Sequence, residues 1–527
     1  MLSKGKLAWG ALAALVVAGT LGWQQWQRDH AANAAAATSS LAAEPTPSKP
    51  VQPAPPATWQ VGSVTLTACE LKTPHTALST AAWCASFPVP ENRADPHSRI
   101  IHLKLALLRA NAQLASKDML VFLVGGPGQA ATESANTAAS VFAPLLAHRD
   151  VLLVDQRGTG GSNPLTCKDQ GADDSSDDDN SFDPAKVRVA VASCLKQLAG
   201  RADPRYYTTT VAVQDLEDVR KALGSPQFDL VGVSYGTRVA QQYVRTFPTA
   251  VRSVVLDSVV PNSLVLGEDF SKNLEDALRA QFSRCTADPV CKKHFGDPYQ
   301  TLYQLRDALR ANPHMVSFRD PQTYRTVKRE LSEASLATLV RMFAYTPATA
   351  ALLPLSIDAA AHGDVGPLLG QAKILSGDLA ELMGSGMQYS VICSEDADLL
   401  TPRPQDANTI LGTHMIDALQ ATCSVWPKGA RPTNFHQPLK TDKPMLLLAG
   451  QYDPVTPPRY AEEVAKGLSD ARVLVLKGQA HSVMAAGCTP KLIKQFIEKL
   501  DPKGLDATCL DRLQPTPLFI TFNGATP

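Results

Sequence analysis

The chain has 527 residues, and its 50 Lys and Arg residues balance 50 Asp and Glu residues, so the formal net charge is zero. A balanced charge gives no electrostatic reason to expect a nucleic acid or another polyanion as a partner. Hydrophobic residues make up 44% and charged residues 19%, as in an ordinary soluble globular protein, and the length allows a large core with an insertion.

The N-terminus has the pattern of an export signal. Lys4 and Lys6 precede an apolar run from Leu7 to Trp23, which predicts a signal peptide or a membrane anchor over residues 1–28. The small residues of a cleavage site begin well beyond that run, and tryptophans stand near both of its ends, which favours an uncleaved anchor. Both alternatives predict that the bulk of the chain is periplasmic or extracellular, either free or tethered to the inner membrane.

Two segments have the composition of solvated chain. Residues 29–58 are rich in Ala, Pro and Ser, which predicts a flexible linker, and folded structure is expected to begin near Trp59. The acidic segment 173–183 lacks the Gly and spaced Glu of an EF-hand loop, so we interpret it as a surface loop and not a calcium site.

Short apolar runs followed by loop residues recur along the rest of the chain and predict strands. Continuous apolar strands are typical of a mostly parallel sheet that helices cover on both faces. Helical patterns lie between several of the runs, which gives an α/β fold. The predicted strand regions are 100–108, 119–128, 150–162, 228–236, 251–258, 444–454 and 471–481, and the predicted helices include 211–223, 237–247, 457–468 and 490–500.

The alternation of strands and helices lapses between residues 261 and 440. This stretch has mostly helical patterns, for example over 335–353. An insertion at this point of an α/β sheet lies over the carboxyl ends of the strands, where such sheets bind ligands. We therefore predict a helical cap over 261–440, between the two parts of the core, 59–260 and 441–527.

A serine stands between two glycines in "GVSYG", residues 232–236. An apolar strand precedes Ser234 and a helix follows it, which is the setting of a nucleophile elbow. The small residues Gly232 and Gly236 relieve crowding at such a turn, and the N-terminus of the following helix favours developing negative charge. The pattern predicts that Ser234 is a nucleophile.

A serine nucleophile needs a base that is oriented by an acid. Asp453, in "GQYDPVTP", and His481, in "KGQAHS", each follow a late strand, and the chain order Ser234, Asp453, His481 is that of α/β-hydrolases. Asp257 also ends a core strand and is the alternative acid.

Two backbone N–H groups must hold the oxyanion. One is expected from Tyr235, directly after the nucleophile, and the other from Gly126 in "GGPG", because Pro127 has no N–H. The glycine-rich "DQRGTGGS", residues 155–162, lacks the spacing of a dinucleotide-binding loop.

These motifs, in this order, resemble those of serine aminopeptidases of the α/β-hydrolase fold, which include tripeptidyl aminopeptidase and prolyl aminopeptidase. The resemblance runs from about Trp59 to about Asp511, and "CSED" (393–396) with the later cysteines is more similar to the tripeptidyl branch. Prolyl aminopeptidases usually have His before "GGPG", where this chain has Val124, which weakens a specific expectation for proline.

The resemblance implies an exported serine exopeptidase that releases residues from the free N-terminus of peptides, with no metal and no organic cofactor. The alternatives are an esterase or small-amide hydrolase of the same fold and a non-catalytic binding module on a hydrolase scaffold. An aminopeptidase must bind an ammonium group, which needs an anionic partner when buried. Glu395 and Asp396 are the candidates, and a solvated turn or a helix N-terminus is the alternative interpretation of these acids.

Ten cysteines without a C-x-x-C motif, in an exported chain, favour disulfides over a metal site. Connectivity does not follow from sequence, and pairing between neighbours along the chain is the simplest hypothesis. It predicts a Cys393–Cys423 bond that braces the return from cap to core. It also predicts a Cys488–Cys509 bond that ties the last helix across the loop of His481.

Overall fold

The computed structural model describes residues 57–525 except residues 75, 168–182, 322, 372 and 374–384. The predicted signal or anchor, the linker up to residue 56 and nearly all of the acidic segment lie outside the described residues. Among the described residues, no helix has both the length and the apolar character needed to span a bilayer.

Ten strands form one sheet. In chain order they are β1 (Thr58–Val61), β2 (Val64–Lys72), β3 (Ser79–Pro90), β4 (Ile100–Leu108), β5 (Met119–Leu123), β6 (Val151–Val154), β7 (Phe228–Val233), β8 (Val251–Asp257), β11 (Met445–Gly450) and β12 (Ala471–Leu476). Their spatial order is β1-β2-β3-β4-β6-β5-β7-β8-β11-β12. The pairs from β1 to β6 are antiparallel and those from β6 to β12 are parallel, so the sheet is antiparallel at one end and parallel around the predicted site.

Alternate residues of the inner strands enter two different hydrophobic clusters. In β7, Leu230 belongs to one cluster and Val231 to the other, and Leu447 and Leu448 of β11 divide in the same way. Both faces of these strands are therefore buried, which is why their sequences are continuous apolar runs and do not alternate with polar residues.

Helices cover both faces of the sheet. The described α-helices before β8 are α1 (Ala135–Val141), α2 (Pro184–Leu198), α3 (Thr209–Ala222) and α4 (Tyr235–Thr246), and those after β11 are α13 (Pro458–Ala465) and α14 (Thr489–Lys499). Buried residues of α2, α3, α4 and α13 pack into the first cluster, whereas those of α1 and α14 pack into the second. The result is a three-layer α/β architecture.

The segment between β8 and β11 is mostly helical, as its sequence predicts, but it also contains a two-stranded hairpin. Its described elements are α5 (Phe270–Ala287), α6 (Pro289–Phe295), α7 (Pro298–Ala311), β9 (His314–Arg319), β10 (Thr326–Leu331), α8 (Glu333–Ala344), α9 (Pro347–Ala350), α10 (Leu353–Ala361), α11 (Ser385–Glu395) and α12 (His414–Cys423). The helix pattern predicted over 335–353 is divided among α8, α9 and α10. Pro347 has no backbone N–H and begins α9 as a new helix.

This segment packs in two ways. Buried residues of α5, α7, α8, α10 and the hairpin share a hydrophobic cluster of their own, which includes Leu278, Val340 and Leu353. In contrast, Val391 of α11 and Cys423 of α12 belong to the first cluster of the sheet. The later helices therefore lie against the core, and the cap limits at 261 and 440 remain a prediction.

Five disulfide bonds join cysteines that are neighbours along the sequence, and they include the two pairs that the sequence predicts. They are Cys69–Cys84, Cys167–Cys194, Cys285–Cys291, Cys393–Cys423 and Cys488–Cys509. Disulfides on this scale are typical of extracytoplasmic proteins, so they indicate a periplasmic or extracellular location.

Candidate active site

Ser234 lies at a sharp turn between β7 and α4. Its backbone has φ +53° and ψ −124°, a strained conformation for a residue with a side chain. A Cβ added at Gly236 would overlap the carbonyl oxygen of Leu123, and one added at Gly232 would overlap Gly236 itself. The two flanking glycines are therefore required by close approach of the backbone, which agrees with the predicted elbow.

His481 and Asp453 are in direct contact. Nδ1 of the imidazole lies 2.8 Å from Oδ2 of Asp453. The carboxylate also accepts the N–H groups of Val455 and Thr456 and the hydroxyl of Thr456. Burial acts to raise the pKa of Asp453, but His481 and these donors outweigh it and lower that pKa. Burial likewise opposes a charged imidazole, yet Asp453 raises the pKa of His481 above its ordinary value.

Asp257, the alternative acid, lies between the nucleophile and the histidine loop. Its backbone carbonyl oxygen accepts the N–H of Ser234 at 2.9 Å. Its carboxylate accepts the N–H groups of Val483 and Met484 at 2.9 Å each. Burial raises the pKa of Asp257 to about 6, although these N–H groups oppose the shift. The structure thus places Asp453, and not Asp257, against Nδ1 of His481.

The structure describes both Ser234 and His481 and has no hydrogen bond between their hydroxyl and imidazole groups. Such contacts commonly tighten only when substrate binds. Both residues are nevertheless attached to Asp257, Ser234 through its own N–H and His481 through the loop that follows it. Because Nδ1 is held by Asp453, Nε2 is the nitrogen left to act on the hydroxyl.

The loop after β5 lies directly against the elbow. A Cβ added at Gly125 would come within 3.0 Å of Cβ of Ser234, and Gly126 has φ +108°, a conformation that residues with side chains rarely adopt. Gln129 accepts the N–H of Gly125 through its side chain and so closes this loop. Tyr235 begins α4, and the first N–H groups of a helix have no partner within the helix. Tyr235 therefore directly follows Ser234 and Gly126 directly follows a residue that lies against it, and their role as oxyanion donors stays a prediction.

Glu395 and Asp396 lie inside the protein with no exposed surface. Glu395 accepts the N–H of Thr209 at 2.6 Å and its hydroxyl at 2.9 Å, and that hydroxyl shares a 2.6 Å hydrogen bond with the phenol of Tyr235. Asp396 forms an ion pair with Arg238 at 2.9 Å. Each carboxylate thus has a partner from the core.

This placement does not fit the prediction that these two acids bind the ammonium group of a substrate. Burial, with the neighbouring charge of Asp396, raises the pKa of Glu395 to about 8, which disfavours the negative charge that an ammonium partner needs. Asp396 is already paired with Arg238, and neither acid has exposed surface to offer a substrate. Glu395 instead holds the hydroxyl of Thr209, which is hydrogen-bonded to the phenol of Tyr235.

The sequence motifs assign no role to three further residues near the site, which are Thr456, Tyr345 and Arg341. Thr456 lies within the motif "DPVTP", so its closeness to Asp453 had a signal in the sequence. Tyr345 comes from the end of α8, accepts the N–H of His481 at 3.1 Å through its carbonyl oxygen, and packs edge-on against the imidazole at a ring-centre distance of 5.3 Å. Arg341 lies one turn before Tyr345. Neither residue of α8 is marked by any local pattern.

The fold and the site define an α/β hydrolase. The profile of the alpha/beta hydrolase fold family matches residues 118–486, more than half of the chain, so the chain belongs to this family. Among curated proteins, it is 24% identical over 467 residues to serine protease Hip1 of Mycobacterium tuberculosis, an alignment that covers 82% of this chain and 88% of the relative. It is 29% identical over 190 residues to tripeptidyl aminopeptidase of Streptomyces lividans, with 34% of this chain and 35% of the relative covered.

A solved structure of proline iminopeptidase from Mycobacterium smegmatis is also similar. It has 17% identity and a TM-score of 0.38, and the match covers 79% of this chain and 98% of that one. The family match and the two curated relatives confirm the resemblance that the motifs indicate, and they identify the chain as a hydrolase.

Proposed function

We propose that this protein is an exported serine exopeptidase that releases residues from the free N-terminus of peptides. The observation that carries the proposal is the 2.8 Å contact between His481 and Asp453 at the end of adjacent strands, beside a strained elbow at Ser234. The relatives named as a serine protease and a tripeptidyl aminopeptidase support peptides as the substrate class.

In the proposed reaction Ser234 Oγ attacks the scissile carbonyl carbon while Nε2 of His481 takes the hydroxyl proton. The N–H groups of Tyr235 and Gly126 donate to the oxyanion. Cleavage of the C–N bond follows as His481 returns the proton to the leaving amine, and Asp453 stabilises the imidazolium throughout. Water then releases the acyl group from Ser234 by the same route.

Three matched substrates test the proposal: a peptide with a free N-terminus, the same peptide acetylated at its N-terminus, and an ester of the same acyl group. We expect cleavage of the free peptide, poor cleavage of the acetylated one and no activity on any substrate after Ser234→Ala. Efficient cleavage of the acetylated peptide would remove the exopeptidase assignment. Hydrolysis of the ester alone would establish the esterase alternative, and normal ligand binding without turnover would favour a binding module.

The proposed export rests on residues 1–28 and on the disulfides. Cell fractionation should place the protein outside the cytoplasm. N-terminal sequencing of the recovered protein would distinguish an uncleaved anchor, which keeps Lys4, from a cleaved signal.

A further inference from the structure

Arg341 is a buried cation that has no anionic partner among the residues that the structure describes. Its residue is 9% exposed, and its Nη1 has no hydrogen-bond partner. Within the described part of the chain, no carboxylate forms an ion pair with it, whereas other buried arginines such as Arg157 and Arg238 each have one. Burying an unpaired charge is costly, so this guanidinium requires an explanation.

Two aromatic rings account for part of its stabilisation. The guanidinium lies 4.4 Å from the ring centre of Phe270 and 5.8 Å from that of Tyr345, and Nη2 donates to the Tyr345 hydroxyl at 3.2 Å. Cation–π contacts of this kind are weaker than a buried ion pair. They leave the buried Nη1 without a hydrogen-bond partner in the described part of the chain, and the Tyr345 hydroxyl keeps its own proton to donate.

Arg341 is also close enough to the catalytic imidazole to oppose its positive charge. Tyr345 links the two, because its hydroxyl meets Arg341 while its carbonyl oxygen and ring meet His481. Burial and Arg341 both act to lower the pKa of His481, but Asp453 raises it, and the pKa is raised overall. When His481 takes the proton of Ser234, Asp453 and Asp257 both favour its positive charge, whereas Arg341 opposes it. An anion beside Arg341 would reduce that opposition and so favour the transition state.

We propose that Arg341, with the hydroxyl of Tyr345, binds a carboxylate on the leaving fragment of the substrate. The proposal rests on the proposed peptidase function and specifies its substrate class. The leaving amine must lie beside His481 to receive its proton. When the leaving fragment is a single amino acid, its α-carboxylate is separated from that amine by one carbon atom, and an acidic side chain at the same residue lies only slightly farther away. The structure thus predicts a preference for scissile bonds whose leaving residue carries a carboxylate.

The test compares substrates with one acyl part and four leaving groups: a single neutral amino acid as free acid, the same residue as its amide, aspartate α-amide, and a neutral aryl amine. For the wild type, the free acid should exceed the amide in kcat/KM by roughly ten- to hundredfold, the effect of one charge-assisted hydrogen-bond site. Arg341→Gln should remove that preference, and the aryl amide, which carries no carboxylate, reports separately how the substitution affects His481. If the wild type cleaved the aspartate α-amide faster than the neutral amide, a side-chain carboxylate could also bind Arg341.

Two controls separate binding from a loss of structure. Arg306→Gln alters another buried cap arginine that stacks on an aromatic ring, Tyr303, but is paired with Asp307, and it should not discriminate between acid and amide. On the aryl amide, Arg341→Gln should move the acid limb of kcat/KM to higher pH, because a positive neighbour of His481 is lost.

If Arg341→Gln lowered kcat/KM equally for the free acid and for the amide, while the wild type still cleaved peptides, the proposed role of Arg341 would be overturned. Absence of peptide cleavage by the wild type, with ester hydrolysis retained, would instead overturn the proposed peptidase function.

Discussion

The backbone N–H of Ser234 donates to the backbone carbonyl oxygen of Asp257 at 2.9 Å. The carboxylate of the same aspartate accepts the N–H groups of Val483 and Met484, directly after the catalytic histidine loop begins. One residue therefore connects the nucleophile elbow to the loop that carries His481. These hydrogen bonds predict that Asp257 positions His481 relative to Ser234.

Asp453 and Asp257 should respond differently to replacement by asparagine. Asp453→Asn removes the acceptor of the Nδ1 proton and should lower kcat by about 10⁴-fold, because the wrong tautomer is favoured. Asp257→Asn leaves the His481–Asp453 contact in place but points amide protons towards the N–H groups of Val483 and Met484. The loop should be displaced as a result, which should lower kcat by about 10²-fold. Steady-state kinetics with circular dichroism as a check on folding measures both. Equal losses would make Asp257 a second acid.

The strands around the site could be predicted because of where they lie. β5, β7, β8 and β11 are buried on both faces, so each is a continuous apolar run. The strand ends carry loops, and the functional groups of Ser234, Asp453 and His481 follow them. In contrast, β3 is rich in Ala and contains Pro88 and Pro90, and β9 and β10 are largely exposed, so neither region has an apolar run to detect.

The surroundings of the site could not be predicted, because its contacts join distant parts of the sequence. Thr209 and Glu395 are separated by 186 residues, and their hydrogen bonds exist only after α3 and α11 pack together. The sequence predicts Glu395 near the nucleophile but as a partner of the substrate ammonium group, since neither its burial nor its contact with Thr209 has a signature in a single sequence.

Thr456 should act as a positioning residue for the acid. Its hydroxyl donates to Oδ2 of Asp453 at 2.9 Å and lies 3.3 Å from Nδ1 of His481. Thr456→Val keeps the shape but removes a hydrogen bond to a charged group, which should lower kcat by roughly tenfold with little change in KM. Thr456→Ser retains the hydroxyl and should restore the rate. A serine variant as slow as the valine variant would show that packing of the methyl group is the important contribution.

The Cys488–Cys509 bond should stabilise the region that follows His481. Cys488 precedes α14, and the bond closes a loop with a sequence separation of 21 residues. Chain-entropy arguments give about 3 kcal/mol for a loop of this size, against about 2 kcal/mol for a loop as short as that of Cys285–Cys291. Replacing each pair by alanines and measuring unfolding in denaturant tests the order. Inactivation on heating should also begin earlier for the first variant than for the second.

Glu395→Gln should leave the enzyme largely active. A pKa raised to about 8 by burial and by Asp396 favours the protonated form of Glu395 at pH 7, which resembles glutamine in shape and hydrogen bonding. The amide oxygen can accept the N–H of Thr209, and the amide nitrogen can donate to its hydroxyl, so the bond to Tyr235 is preserved. We expect kcat/KM at pH 7 to fall by no more than about threefold, below the roughly 1 kcal/mol of a lost hydrogen bond, on free-amine peptides and on esters alike.

The same substitution should alter the pH dependence of stability. A folded-state pKa above the unfolded value means that Glu395 contributes its stability below the ordinary pKa of 4.5 and loses it as pH rises through about 8. Glutamine does not ionise, so the free energy of unfolding of the variant should rise relative to that of the wild type across this interval. Denaturant unfolding at several pH values measures the difference. A constant difference, together with a loss of activity confined to free-amine substrates, would show that Glu395 is ionised and binds the substrate ammonium group after all.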